Sequence, residues 1–241
     1  MSRPWFSKGS NHLKVTFMLD TPVPPASEQT TVPAAELAAF LAARMCHDFI
    51  SPASAIVSGL DLLEDPSAQD MRKDAMNLIA ASARKLSDLL QFNRLAFGAS
   101  ATAETLDARE LERLAQGVFA TMRADLDWRV EPVGVNKPAA RALLNLAQMA
   151  GAALPTGGTV RVGAVDQGGA LMITLEATGA RSRLRPEVLA GLRGEGPGEG
   201  LHGHWVQAYY VYLFVGDAGG RVSAEIAEGR VTLTATIPST G

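Results

Sequence analysis

The sequence predicts an α-helical hairpin, two of which would form a dimeric four-helix bundle, followed by an α+β two-layer sandwich. Three observations lead to this fold class. Apolar residues recur at spacings of three and four from Leu37 to Ala96, broken only around Asp65-Pro66. From Thr105 onward, short helical stretches are interleaved with runs that alternate apolar and other residues. Glycine pairs at Gly168-Gly169 and Gly219-Gly220 punctuate those runs.

Residues 1–33 hold scattered polar residues and several prolines with no sustained period, which reads as a disordered tail. The Trp5-Phe6 pair within it is a stray aromatic pair or a docking element. The hairpin occupies residues 34–98. Pro33 suits a first helical turn and Glu36 an early acidic position, so helix one is expected from here to about Glu64. Leu37, Leu41, Ile56, Leu60 and Leu63 would form its apolar face. Pro52 removes a backbone hydrogen bond and crowds the carbonyl of Asp48, so it either kinks the helix there or is simply tolerated. Asp65-Pro66 reads as an N-cap with proline at the first helical position, starting helix two, which carries Ala75, Leu78, Ile79, Ser82, Leu86, Leu89 and Asn93 on one side and ends near Gly98. Two long helices joined by so short a turn must run antiparallel. A lone pair leaves the flanks of its apolar seam wet, and a second copy of the chain is the simplest way to cover them.

Residues 104–241 form the second domain. An amphipathic helix is expected from Leu106 to Met122, a short strand at Trp128-Arg129-Val130, and a helix from Pro138 to about Ala153. Thr159–Val165 and Leu171–Glu176 make a hairpin. A glycine-rich loop from Gly191 to Gly203 precedes a helix from about Trp205 to Val215, and Arg221–Ala227 with Arg230–Ile237 make a closing hairpin around Glu228-Gly229.

Composition narrows the function. Hydrophobic residues make up 47% and charged residues 20% of 241, an ordinary globular balance. A net charge of −3 gives no electrostatic case for nucleic acid. Cys46 is the only cysteine, which excludes an intrachain disulfide and a cysteine-based zinc cluster. No apolar run matches a bilayer span, so a soluble cytoplasmic protein is expected.

The chemistry centres on His47. It lies off the apolar face, and Ser51, Ser54, Ser58 and Asp61 follow on its side of the helix. Ala55 adds another small side chain nearby, leaving room for a partner helix. Asp48 can hold Nδ1–H and so present the Nε2 lone pair. Arg44 lies one turn before His47, and Lys85 is expected at about its height across the hairpin, with Arg84 and Asp88. Arg44 and Lys85 either steady a group carried by His47 or are solvated helix residues. His202 and His204 have a His-x-His spacing that could ligate a metal, but no acidic or cysteine cluster accompanies them, and no metal site is expected.

His47-Asp48 followed by Pro52 at the head of a helical hairpin resembles the phosphoacceptor box of bacterial sensor histidine kinases. Leu143-Leu144-Asn145-Leu146, Leu154-Pro155-Thr156-Gly157-Gly158 and Gly219-Gly220-Arg221-Val222 resemble segments of their ATP-binding module. Three departures stand out. Met149 occupies the place of a magnesium-binding asparagine, and a thioether is a poor ligand for a hard cation. Ala177 replaces the adenine-binding aspartate, with Arg181 at an expected glycine. His202, His204 and Trp205 put rings where a glycine box would bring its amides up to phosphates.

A kinase-like frame with these losses resembles the ChpT-type histidine phosphotransferases of alphaproteobacteria from Ala34 to Pro238. The resemblance implies a homodimer with a degenerate ATPase-like domain that binds no ATP. It also implies a phosphoryl relay through His47 in a two-component phosphorelay controlling the cell cycle. The implied partners are the receiver domain of a CckA-like hybrid kinase and CtrA-like and CpdR-like response regulators. The protein would have no cofactor of its own, Mg²⁺ coming with the receiver, and the second domain is expected to share in receiver docking. Two other readings stay open: an active histidine kinase with an atypical ATP site, and a dimeric pseudo-kinase scaffold that accepts no phosphate.

Overall fold

A computed structural model describes residues 32–98, 104–197 and 202–239. Most of the expected tail, the short linker after Gly98, Gly200-Leu201 and the side chain of His202 lie outside the described residues.

Helix α1 (Ala34–Glu64) runs unbroken through Pro52, which is buried. The turn differs from expectation. Asp65 accepts hydrogen bonds from the backbone N–H and hydroxyl of Ser67, and this cap starts a 3-10 turn over Pro66–Met71. Helix α2 (Arg72–Ala96) begins only after it. The two helices pack closely at Gly59, where an added Cβ would lie 2.6 Å from Ile79 Cγ1.

Beyond the linker, the expected helix from Leu106 is a strand followed by a helix. Strand β1 (Thr105–Asp107) pairs antiparallel with β3 (Gly134–Asn136), and α3 (Ala108–Phe119) starts when the Asp107 carboxylate accepts the Arg109 N–H. The main sheet has the order β2-β4-β5-β7-β6 and comprises β2 (Ala124–Val130), β4 (Gly158–Gln167), β5 (Ala170–Thr178), β6 (Arg221–Ala227) and β7 (Arg230–Pro238). Only β2–β4 is parallel, with α4 (Lys137–Ala152) lying between them in the chain. Asn136 caps α4 by accepting from the Ala139 N–H, and Pro138 sits in its first turn. A further helix, α5 (Pro186–Leu192), precedes α6 (His202–Asp217). Gly191, expected in a loop, is buried in α5, where a Cβ would lie 2.7 Å from the Trp205 carbonyl. These elements form the α+β two-layer sandwich. Val160, Val162, Ile173, Leu175, Leu233 and Ile237 face Leu143, Leu144, Leu146 and Val211 in one core.

That core extends into the hairpin. Leu89, Phe92 and Ala96 of α2 belong to it, and Phe49 of α1 packs against it. A smaller cluster of Trp205, Val206 and Tyr209 on α6 takes in Leu37, Phe40 and Leu41 of α1. The sandwich thus grips the end of the hairpin where α1 begins and α2 closes. Leu37 and Leu41 serve this contact, whereas Leu60, expected on the same apolar face, is exposed. No helix among the described residues is long and apolar enough to cross a membrane.

Candidate phosphotransfer cleft

The grip leaves a cavity of about 300 Å³ between hairpin and sandwich, lined by His47, Asp48, Arg44 and Ser51 from α1 and Lys85 from α2. The sandwich contributes Met149 and Gln148 from α4, Arg183 and Arg185 from the approach to α5, and His204 and Gln207 from α6. Arg44, Lys85 and His47, singled out in the sequence, are therefore brought together, while Arg84 and Asp88 do not line the cavity. Ser51 lies at its edge; Ser54 and Ser58 are exposed along α1 and Ala55 is half-buried.

The His47 side chain is 87% exposed, and its Nδ1 lies 3.4 Å from Asp48 Oδ1. That contact leaves Nε2 directed away from the carboxylate. Arg44 differs from a solvated helix residue. Only 12% of its side chain is exposed, its Nε lies 4.0 Å from Asp48 Oδ2, and its guanidinium donates to the Gly203 carbonyl in the first turn of α6. Burial lowers its pKa and the Asp48 charge opposes that shift. His204 is also held below the ordinary histidine range, first by burial and then by the charges of Arg185 and Arg44, with Glu187 and Asp48 opposing.

The lining carries four cationic side chains, Arg44, Lys85, Arg183 and Arg185, against the single carboxylate of Asp48. Such a balance favours a group that becomes doubly negative, as a phosphorylated imidazole does. The same donor set does not fit a resident Mg²⁺, because Asp48 alone offers a hard anionic oxygen and is engaged by Arg44 and His47. Among the described residues, no group of three or more His, Cys, Asp or Glu side chains converges as a metal cluster would.

Three of the positions compared with the kinase nucleotide boxes, Met149, Ala177 and Trp205, are packed as core. Met149 and Ala177 are buried, and Arg181 is exposed on the turn after β5. At Gly179 a Cβ would lie 2.7 Å from the Gly157 carbonyl, so the two turns close on each other. Trp205, expected at the start of a helix in place of a phosphate-binding glycine box, is a core residue of α6 stacked on Tyr209, with its indole N–H donating to the Glu195 carbonyl.

Below the cavity is a buried polar network that the sequence reading missed. Asn145 Nδ2 donates to the Ala96 carbonyl at the close of α2, and Gln207 Nε2 donates to Asn145 Oδ1 and Gln148 Oε1. A signal was present: α6 is apolar all round, and a lone glutamine within such a helix needs buried partners.

An exposed histidine therefore sits at the seam between a helical hairpin and an α+β sandwich. The family described as "Histidine phosphotransferase C-terminal domain" matches residues 108–230. The protein phosphotransferase ChpT of Brucella abortus is 37% identical over 196 residues, covering 80% of this chain and 91% of that protein. A solved bacterial phosphotransferase structure superposes with a TM-score of 0.76 at 32% identity, covering 86% of this chain and 98% of that one. The chain belongs to this histidine phosphotransferase family and is a phosphotransferase.

Proposed function

We infer that His47 is the residue through which this phosphotransferase relays a phosphoryl group between receiver-domain aspartates. The observation that carries the reading is an exposed imidazole at the rim of a cationic cleft, with a carboxylate beside Nδ1. A neutral imidazole attacks the acyl phosphate of a receiver with Nε2. The P–N bond forms as the P–O bond to the aspartate breaks, the carboxylate leaves with the electron pair, and the ring proton at Nδ1 stays hydrogen-bonded to Asp48. The reverse transfer, to a second receiver, restores the free imidazole. Lys85, on the wall of the same cavity, would steady the transferring oxygens. Mg²⁺ arrives with the receiver, consistent with the poor donor set around His47.

Ser51, Ser54, Ala55 and Ser58 give a receiver helix room along α1, and Arg183 and Arg185 place docking charge on the sandwich side. The family resemblance favours a CckA-like hybrid-kinase receiver as donor and CtrA-like and CpdR-like regulators as acceptors, in a cytoplasmic relay controlling the cell cycle. A homodimer through the hairpin is supported by the exposed apolar side chains of Ile50, Val57, Leu60 and Met76. The closed packing at Met149, Ala177 and Gly179 supports a chain that binds no ATP and phosphorylates itself only from a receiver.

The test uses a receiver phosphorylated with labelled phosphate. The wild type is expected to gain label and His47→Ala none. Equal loss of receiver label with both proteins and no label on the wild type would support the scaffold reading. Label on His47 from ATP alone would establish an autokinase.

A further inference from the structure

The contacts of Arg44 form a line. Its guanidinium donates to the Gly203 carbonyl on α6, its Nε lies 4.0 Å from Asp48 Oδ2, and Asp48 Oδ1 lies 3.4 Å from His47 Nδ1. Arg44 and Asp48 occupy successive turns of α1 on one side, and the carboxylate that Arg44 pairs with is also turned toward the preceding residue's ring. The side chain of Arg44 is nearly covered, leaving it little reach toward a phosphoryl group on the far nitrogen of an exposed ring. The Arg44–Asp48 contact is an ion pair rather than a hydrogen bond, and among the described residues the other charged groups on the cavity wall, Lys85 of α2, Arg183 and Arg185 before α5, and His204 of α6, form no ion pair with the Asp48 carboxylate. Arg44 is the group placed to fix it.

We propose that Arg44 is a positioning residue for the transfer reaction: anchored to the first turn of α6, it holds Asp48 against Nδ1 and thereby keeps His47 in the tautomer that presents the Nε2 lone pair. The sandwich then has a role beyond docking, because its seat on α1 sets the reactivity of the phosphoacceptor. This rests on the reading of His47 as the phosphoacceptor. A planar guanidinium can serve the carbonyl and the carboxylate together, and a lysine ammonium serves two such acceptors less well in that geometry.

The experiment combines two measurements on the full chain, with Arg44→Met to keep the aliphatic stem, Arg44→Lys, Asp48→Ala and the Arg44→Met/Asp48→Ala double variant. The first is the His47 tautomer, read from side-chain ¹⁵N shifts of the folded protein without any receiver. The second is the rate of label transfer from a phosphorylated receiver. The wild type is expected to hold the Nδ1–H tautomer and Arg44→Met to lose that preference while slowing transfer on the order of tenfold, with partial recovery in Arg44→Lys. Asp48→Ala should slow transfer without abolishing it, and adding Arg44→Met should slow it no further. An unchanged tautomer in Arg44→Met, or rate losses that multiply in the double variant, would overturn the proposal. If the wild type takes no label from any receiver, the phosphoacceptor reading fails, and the tautomer measurement still decides whether Arg44 positions Asp48.

Discussion

His204 is a titrating group at the seam whose protonation opposes folding. Its pKa in the fold lies below the ordinary 6.5, mainly because it is partly buried and then because Arg185 and Arg44 face it, with Glu187 and Asp48 opposing. Lys85, Arg183 and His47 line the same cavity. In the interval below about pH 6.5 the unfolded chain binds the proton more readily than the folded one, so stability falls as pH is lowered toward the folded pKa and is fully present above the unfolded value. The urea midpoint is therefore expected to drop between about pH 7 and pH 5, and His204→Gln should flatten that slope. A slope unchanged by the substitution would remove His204 as its source.

Among the elements, the joint between α2, α4 and α6 depends on one buried amide. Asn145 is fully buried and bridges the Ala96 carbonyl to Gln207. Replacing it with leucine fills a similar volume but leaves that carbonyl and the Gln207 amide short of partners. Asn145→Leu is expected to cost about 1–3 kcal/mol, measured by urea unfolding, and to loosen the sandwich from the hairpin. Amide exchange at Phe97 and in the first turn of α6 should quicken more than in β5, which lies at the centre of the sheet. Uniform quickening would show that the network stabilises the fold as a whole rather than this joint.

At the scale of the molecule, the sandwich covers one end of the hairpin and leaves apolar side chains exposed along the rest. Val57 and Leu60 are 56% and 47% exposed, and Met76 and Leu78 are also open to solvent. A second hairpin is the partner proposed for this surface, giving the bundle its core. Leu60→Glu combined with Val57→Glu is expected to convert a dimer into a monomer in sedimentation velocity, since two buried charges per chain would face their symmetry copies. Unchanged sedimentation would place any dimer contact elsewhere.

The sequence by itself determined the elements whose signals are local. α1, α2, α4 and α6, the β4–β5 and β6–β7 hairpins, and the exposed placement of His47 beside Asp48 were legible because periodicity, glycine turns and residue chemistry act within a few positions. Short elements were less legible. The three-residue strands β1 and β3 are stabilised mainly by pairing with each other across Thr105–Asn136, and α5 by burial of Val188 and Leu192. Only the tertiary structure decided that Leu37 and Leu41 serve α6 rather than the bundle, and that α2 enters the sandwich core. It also decided that Arg44, separated by 159 residues from Gly203, reaches back across the seam. Long-range contacts of this kind depend on how two layers meet, and no local pattern in either stretch encodes that meeting.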